Sequence, residues 1–175
     1  SYARQKKREL KICYDSAVSM EALATIVILL HPLAALAIIR EFFNQRKWRQ
    51  ERTKLSHETR NEAISRHEKL GNRIFLYVIF VICLAFISKI IYFQINNGEV
   101  TFSDLVPNHF HGWAGIIGLF LMIYLRQLGM KAKKNKKNKK SYGKISNLHG
   151  RVSDVMTYLI IIHAFLGFLY LFTYL

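Results

Sequence analysis

Cysteine, proline and acid are all scarce in this chain. Among 175 residues there are two cysteines, two prolines and 11 Asp or Glu, set against 26 Lys or Arg. With only Cys13 and Cys83, a disulfide framework and a four-cysteine metal site are both excluded. No Gly-rich dinucleotide fingerprint occurs, so the chain carries no flavin or nicotinamide domain of its own. The shortage of acid leaves a formal net charge of +15. Such a basic chain suggests a nucleic-acid binder, but 51% of its residues are hydrophobic and they gather into long runs. The charges stand in blocks between those runs, which is the pattern of a membrane protein with basic loops and not of a nucleic-acid partner.

Four runs are long enough to span a bilayer core of about 30 Å, which takes about 20 residues of helix. They cover residues 20–43, 74–93, 109–128 and 155–175. Lipid offers no partner to backbone polar groups, so each run must be helical. The expected fold is an all-α, integral membrane four-helix bundle over residues 20–175, preceded by a basic segment, 1–19. The connection 44–73 is basic, and the connection 129–151 holds the run KAKKNKKNKK. Both fall on one face (side B), and the intervening connection, 94–108, has Glu99 and Asp104 and no base. Side B is therefore expected to be the cytoplasmic, stromal or matrix side. The N-terminal RQKKREL falls on the opposite side A, where it is expected to lie along the membrane surface as an amphipathic helix. The lysine run reads as a solvated loop, with contact to a partner or acidic lipid as its functional alternative.

Seven histidines are the informative residues. Ionisable or coordinating side chains in or beside a span are costly and usually functional, and imidazole is a common axial ligand of haem iron. A flat macrocycle needs a small residue one turn from its ligand, and positions i and i+4 share a helix face. Ala35 follows His31 at that offset, Gly71 follows His67, Gly115 follows His111, Ser153 follows His149 and Gly167 follows His163. His109 is followed by Trp113 and points about 200° away from His111, and His57 is followed by Asn61; these two are read as interface and loop residues. Small residues also serve helix packing. By depth, His67 and His149 open their helices at side B and form a natural pair. His111 opens its helix at side A, while His31 and His163 lie mid-span. His149 and His163 are 14 residues apart on one face, about 21 Å along the axis, a spacing that suits two stacked haems.

Four segments, LLHPLAAL at His31, RHEKLGNRIF at His67, NHFHGWAGIIGLF at His111 and NLHGRVSDV at His149, resemble in this order the cytochrome b561 superfamily and its ferric-reductase-like four-helix core. The stretch INNGEVTF is similar to a plastid and cyanobacterial branch of it. The resemblance spans roughly Leu30 to Gly167. It implies two b-type haems, one held by His31 and His111, the other by His67 and His149. The HGWAG run selects His111 as the third ligand. His31 with His163 is the rival pairing, since these two match in depth; helix tilt or a kink at Pro32 would reconcile His31 with His111. The residues before His67 (Glu62, Ala63, Ile64, Ser65, Arg66) depart from the lysine-rich approach of ascorbate-using relatives.

The function implied is one-electron transfer across the bilayer by a di-haem b-type cytochrome, a possible transmembrane oxidoreductase fed by a small-molecule or protein donor. The resemblance points to the chloroplast thylakoid, with the mitochondrial inner membrane as the alternative. A second reading makes the chain an accessory subunit of a photosynthetic or respiratory complex, docked through its basic loops, with or without haem. An ion or proton channel is the third, disfavoured because Asp154 is the one acid near a bundle entrance. Lys89 and Arg40 read as side chains snorkelling to the interface, and Trp113 and Tyr124 as interface anchors.

Overall fold

The computed structural model describes residues 2–51 and 56–173. It is all-α, with no strand among the described residues. The helices are α1 (Tyr2–Glu51), α2 (His57–Asn97), the single turn α3 (Phe102–Leu105), α4 (Phe110–Lys137) and α5 (Gly143–Leu171). Four of them contain stretches long and apolar enough to cross a membrane: Thr25–Lys47, Thr59–Ile95, Phe110–Lys137 and Gly143–Leu171. The chain is thus an integral membrane helical bundle. Large apolar side chains such as Leu76, Phe80, Phe120, Tyr158 and Phe165 are more than half exposed, as a lipid solvent permits.

The helices run well past the apolar spans. Residues 2–19 are helical and continuous with the rest of α1, which also runs on through Pro32. The connection expected over 44–73 is helical at 44–51 and from His57 onward, with residues 52–55 outside the described set. The connection expected over 129–151 shrinks to residues 138–142, because α4 extends through Lys137 and α5 begins at Gly143. Charge had suggested loop, but these segments hold few helix breakers, and Lys, Arg, Glu, Gln and Ala all favour helix. Lysines in the last turn of α4 also complement the helix dipole. The helix then closes with Lys140 N–H donating to the Asn135 carbonyl (2.9 Å) and Lys139 N–H to that of Lys136 (3.2 Å). That closure places Lys139 at φ 54°, a left-handed conformation that glycine usually fills.

The chain divides into two compact units. Residues 1–34 and 83–106 form the first, and residues 35–82 and 107–175 the second. In the first unit, Ser88 on α2 is buried and donates its hydroxyl to the Val27 carbonyl of α1 at 3.1 Å. Lys89 donates to the Val106 carbonyl at 3.2 Å and stands 5.8 Å from the Phe93 ring centre. α2 ends at Gly98, whose φ of 74° supplies the left-handed cap. α3 is fixed by Asp104, which accepts from both the Thr101 amide (2.9 Å) and the Thr101 hydroxyl (2.6 Å).

In the second unit α4 and α5 form an antiparallel pair, packed more closely than any other two helices among the described residues. Small residues allow this approach: Gly118 faces Leu159, and Gly150 is buried. The core of this unit gathers Phe42 of α1, Ile74 of α2, Met122 and Leu125 of α4 and Met156 of α5. On α5, Met156 stands midway between His149 and His163, about 10 Å from each along the axis. A histidine site therefore lies on either side of the core.

Candidate haem site and a second histidine pair

His67 lies on α2 and His149 on α5, and their ring centroids are 6.3 Å apart with planes inclined at 77°. Neither opens its helix as expected, since α2 and α5 begin well before them, but the expected pairing at one depth is present. His149 Nδ1 is 3.1 Å from the Leu125 carbonyl oxygen. A carbonyl only accepts, so Nδ1 carries the proton and Nε2 keeps the lone pair with which imidazole binds a metal. Gly129 on α4 makes this seat, because a Cβ there would lie 3.6 Å from His149 Cε1.

Two adjacent residues of α1 grip the helices that carry the pair. Gln45 Nε2 donates to the carbonyl of His67 itself at 2.7 Å. The amide passes beside Gly71, where a Cβ would stand 3.4 Å from it. Arg46 pairs with Asp154 at 2.8 Å and donates to the Thr157 hydroxyl, both on α5. Asp154, expected only as an acid near a bundle entrance, is thus the α5 end of a helix tie.

The pair borders a cleft of about 520 Å³. This is within the usual range for a cofactor site. The cleft reaches Gly71 and Ser153, the small residues one turn beyond each histidine. Its lining includes five cationic side chains (Arg46, Arg60, Arg126, Lys133 and Lys136) and one carboxylate, Glu68. Arg126 lies over the Phe75 ring at 4.9 Å, and Lys133 is paired with Glu68 at 2.5 Å.

Two imidazoles on one metal ion, with bonds of about 2.0 Å and ring radii of about 1.2 Å, have centroids about 6 to 6.5 Å apart. The observed separation of 6.3 Å meets that requirement. Together with the His149 tautomer, the cleft and its basic lining, these residues fit a bis-histidine haem.

The second pair is arranged differently. His111 of α4 and His163 of α5 stack at 4.0 Å between centroids, with 18° between planes. His111 Nδ1 donates to the His163 carbonyl at 3.0 Å. Gly115 seats the His163 ring and Gly167 seats the His111 ring: a Cβ would lie 3.2 Å and 2.7 Å, respectively, from the facing Cε1. The glycine one turn after each histidine thus accommodates the other histidine, where sequence reading had assigned it to macrocycle clearance. His111 had been expected to pair with His31, or His163 with His31; within this unit His111 and His163 pair with each other. His31 belongs to the first unit and is half-buried on α1.

His109 caps α4. Its Nδ1 accepts from the Gly112 amide at 3.1 Å, and its ring lies 3.9 Å from that of Tyr170. Gly112, within the HGWAG run, has a packing role: a Cβ there would fall 2.6 Å from Pro107 Cβ. His57 is the first residue of α2. Trp113, Tyr124 and Arg40 are exposed, as expected of side chains at an outer face.

Sequence reading missed Gln45, Arg46, Gly129 and Tyr170. Gln45 and Arg46 were counted among loop charges and polar residues, and Gly129 marked the end of a span. Their roles arise only from contacts between helices. No family model, curated protein or solved structure matches the chain.

Proposed function

We propose that this chain is a transmembrane b-type cytochrome of the b561 kind, carrying single electrons across the bilayer. The observation that supports this best is the His67–His149 separation of 6.3 Å beside a basic cleft. A haem held there supplies reversible one-electron exchange at its iron. His67 and His149 would hold it. The Leu125 carbonyl holds the His149 ring in one tautomer and raises the basicity of its ligating nitrogen. Gln45 holds the backbone of α2 at His67, and Arg46 holds α5 just beyond His149. The core around Met156 excludes water on the membrane side of the pair. A second haem, on His31 and His111, follows from the family resemblance, with His163 as the alternative ligand.

In this proposal the His67–His149 site faces the cytoplasmic, stromal or matrix side, because that end of the helices is the basic one. There it receives or delivers electrons through a small molecule or a protein partner docked on the basic helix ends. A thylakoid membrane is the location the resemblance implies, and a mitochondrial inner membrane is the alternative.

The test is the reduced-minus-oxidised optical spectrum of the purified protein, with haem quantified per chain. Two haems with six-coordinate, low-spin b-type bands support the full proposal. One haem restricts it to His67 and His149. Folded protein that takes up no haem overturns it in favour of an accessory subunit.

A further inference from the structure

The cleft is graded from one end to the other, and the histidine pair stands at its middle. Arg60 lies seven residues before His67 on α2, and Ile74 seven residues after it; each step is about 10 Å of helix. On α4, Lys136 is seven residues to one side of Gly129, the seat of His149, and Met122 is seven residues to the other. Arg60, Lys133 and Lys136 therefore form the outer end, and Ile74, Met122 and Phe42 the inner end. The outer three are exposed, and the inner three belong to the buried core. The kind of group the outer end accepts is already visible, because Lys133 holds the Glu68 carboxylate at 2.5 Å.

We infer that the cleft selects a planar macrocycle with two free carboxylates, oriented with those carboxylates toward Arg60, Lys133 and Lys136, and discriminates against esterified macrocycles. The inference rests on the reading of His67 and His149 as axial ligands. An apolar ring edge matches the Ile74–Met122 end, where a carboxylate would be stripped of water without a partner. At the other end, charge-assisted hydrogen bonds to the carboxylates replace those to water. A macrocycle entering the opposite way would bury its charges against Phe42 and leave the cations facing apolar edge. Esterification removes the carboxylate charge and leaves the ring and the metal unchanged. Glu68 is a built-in competitor for Lys133, so the site is tuned by its own acid as well as by its bases.

The experiment uses the full-length, haem-depleted protein in detergent, titrated with haemin and with haemin dimethyl ester and followed by the Soret band. Two exposed carboxylate contacts at up to about 1 kcal/mol each give haemin an advantage of up to roughly thirty-fold. That advantage should shrink with added salt, while binding of the ester should not change. Combining Arg60→Gln, Lys133→Gln and Lys136→Gln should lower haemin affinity to that of the ester and leave the ester where it was. Glu68→Gln should strengthen haemin alone.

Equal binding of the two compounds by the native chain, or equal losses for both in the triple variant, would overturn the orientation while leaving the axial pair intact. If neither compound gives a six-coordinate spectrum with folded protein, the haem reading itself fails. The two failures are therefore distinct.

Discussion

The two histidine pairs of the second unit share a helix, α5, and the same local rule of a small residue one turn after each histidine. Yet one pair stands open and the other closed. His67 and His149 are held 6.3 Å apart at a steep angle beside a cleft, whereas His111 and His163 are stacked at 4.0 Å and seated in each other's glycines. The difference lies in the neighbouring helices. The closed pair joins α4 to α5, the closely packed hairpin, where glycines bring the backbones together. The open pair joins α5 to α2, which are linked through polar contacts from α1. A small residue near a histidine is thus a permission for close approach, and the element opposite decides what uses it.

The largest expected effect is on the open pair. His149→Ala should remove the haem of the cleft and lower the haem content by one per chain, read by pyridine haemochrome assay on folded protein. An unchanged haem content would mean that the open pair is not a ligand pair. In the wild type, the 77° inclination predicts the low-spin electron paramagnetic resonance signal of near-perpendicular imidazoles at this site.

Next comes the same substitution made on both sides. Gly167→Ala should destabilise by about 1–3 kcal/mol, because the new methyl would fall 2.7 Å from a stacked, rigid ring. Gly129→Ala meets His149 at an ordinary 3.6 Å and should change stability by no more than about 1 kcal/mol, with helix propensity favouring alanine. Reversible unfolding in mixed micelles measures both, and equal costs would erase the contrast between open and closed.

A smaller effect is expected at the tie that holds the open pair. Arg46 and Asp154 are 32% and 40% exposed, so a double-mutant cycle of Arg46→Gln and Asp154→Asn should give a coupling of about 0.5–1 kcal/mol. The combined variant should also broaden the low-spin signal of the cleft haem. A coupling near zero with an unchanged signal would show that α1 does not set the spacing.

The smallest effect belongs to the first unit, which holds neither pair. The Thr101 hydroxyl and amide hold the Asp104 carboxyl below its ordinary value. A carboxylate whose folded value is depressed adds stability that is complete above its unfolded value and is lost as pH falls through the folded one. Amide exchange at Thr101 should therefore quicken only in acid, and Asp104→Asn should remove that pH dependence without disturbing either histidine pair.

The four spans were legible because hydropathy and length suffice to mark them. Helix ends were not, since Arg46, Arg66 and Lys133 look like loop residues by charge while favouring helix by propensity. Depth alone placed His67 with His149 correctly, as both lie about equally far from the core. It gave no sign that His111 and His163 would stack, because the register of the α4–α5 hairpin, set by a turn of five residues, brings an end residue opposite one read as central. Gln45 and Arg46 carry no local signature at all; they matter only through the helices they touch.

α5 supplies one histidine to each pair, and it is synthesised after α1, α2 and α4. While those earlier helices enter the membrane, His67 and His111 have no α5 opposite them. Insertion of a single late segment completes both pairs together. Under the proposed function, loading of the cleft would then wait for α5, since an incomplete chain would offer a haem only one of the two histidines.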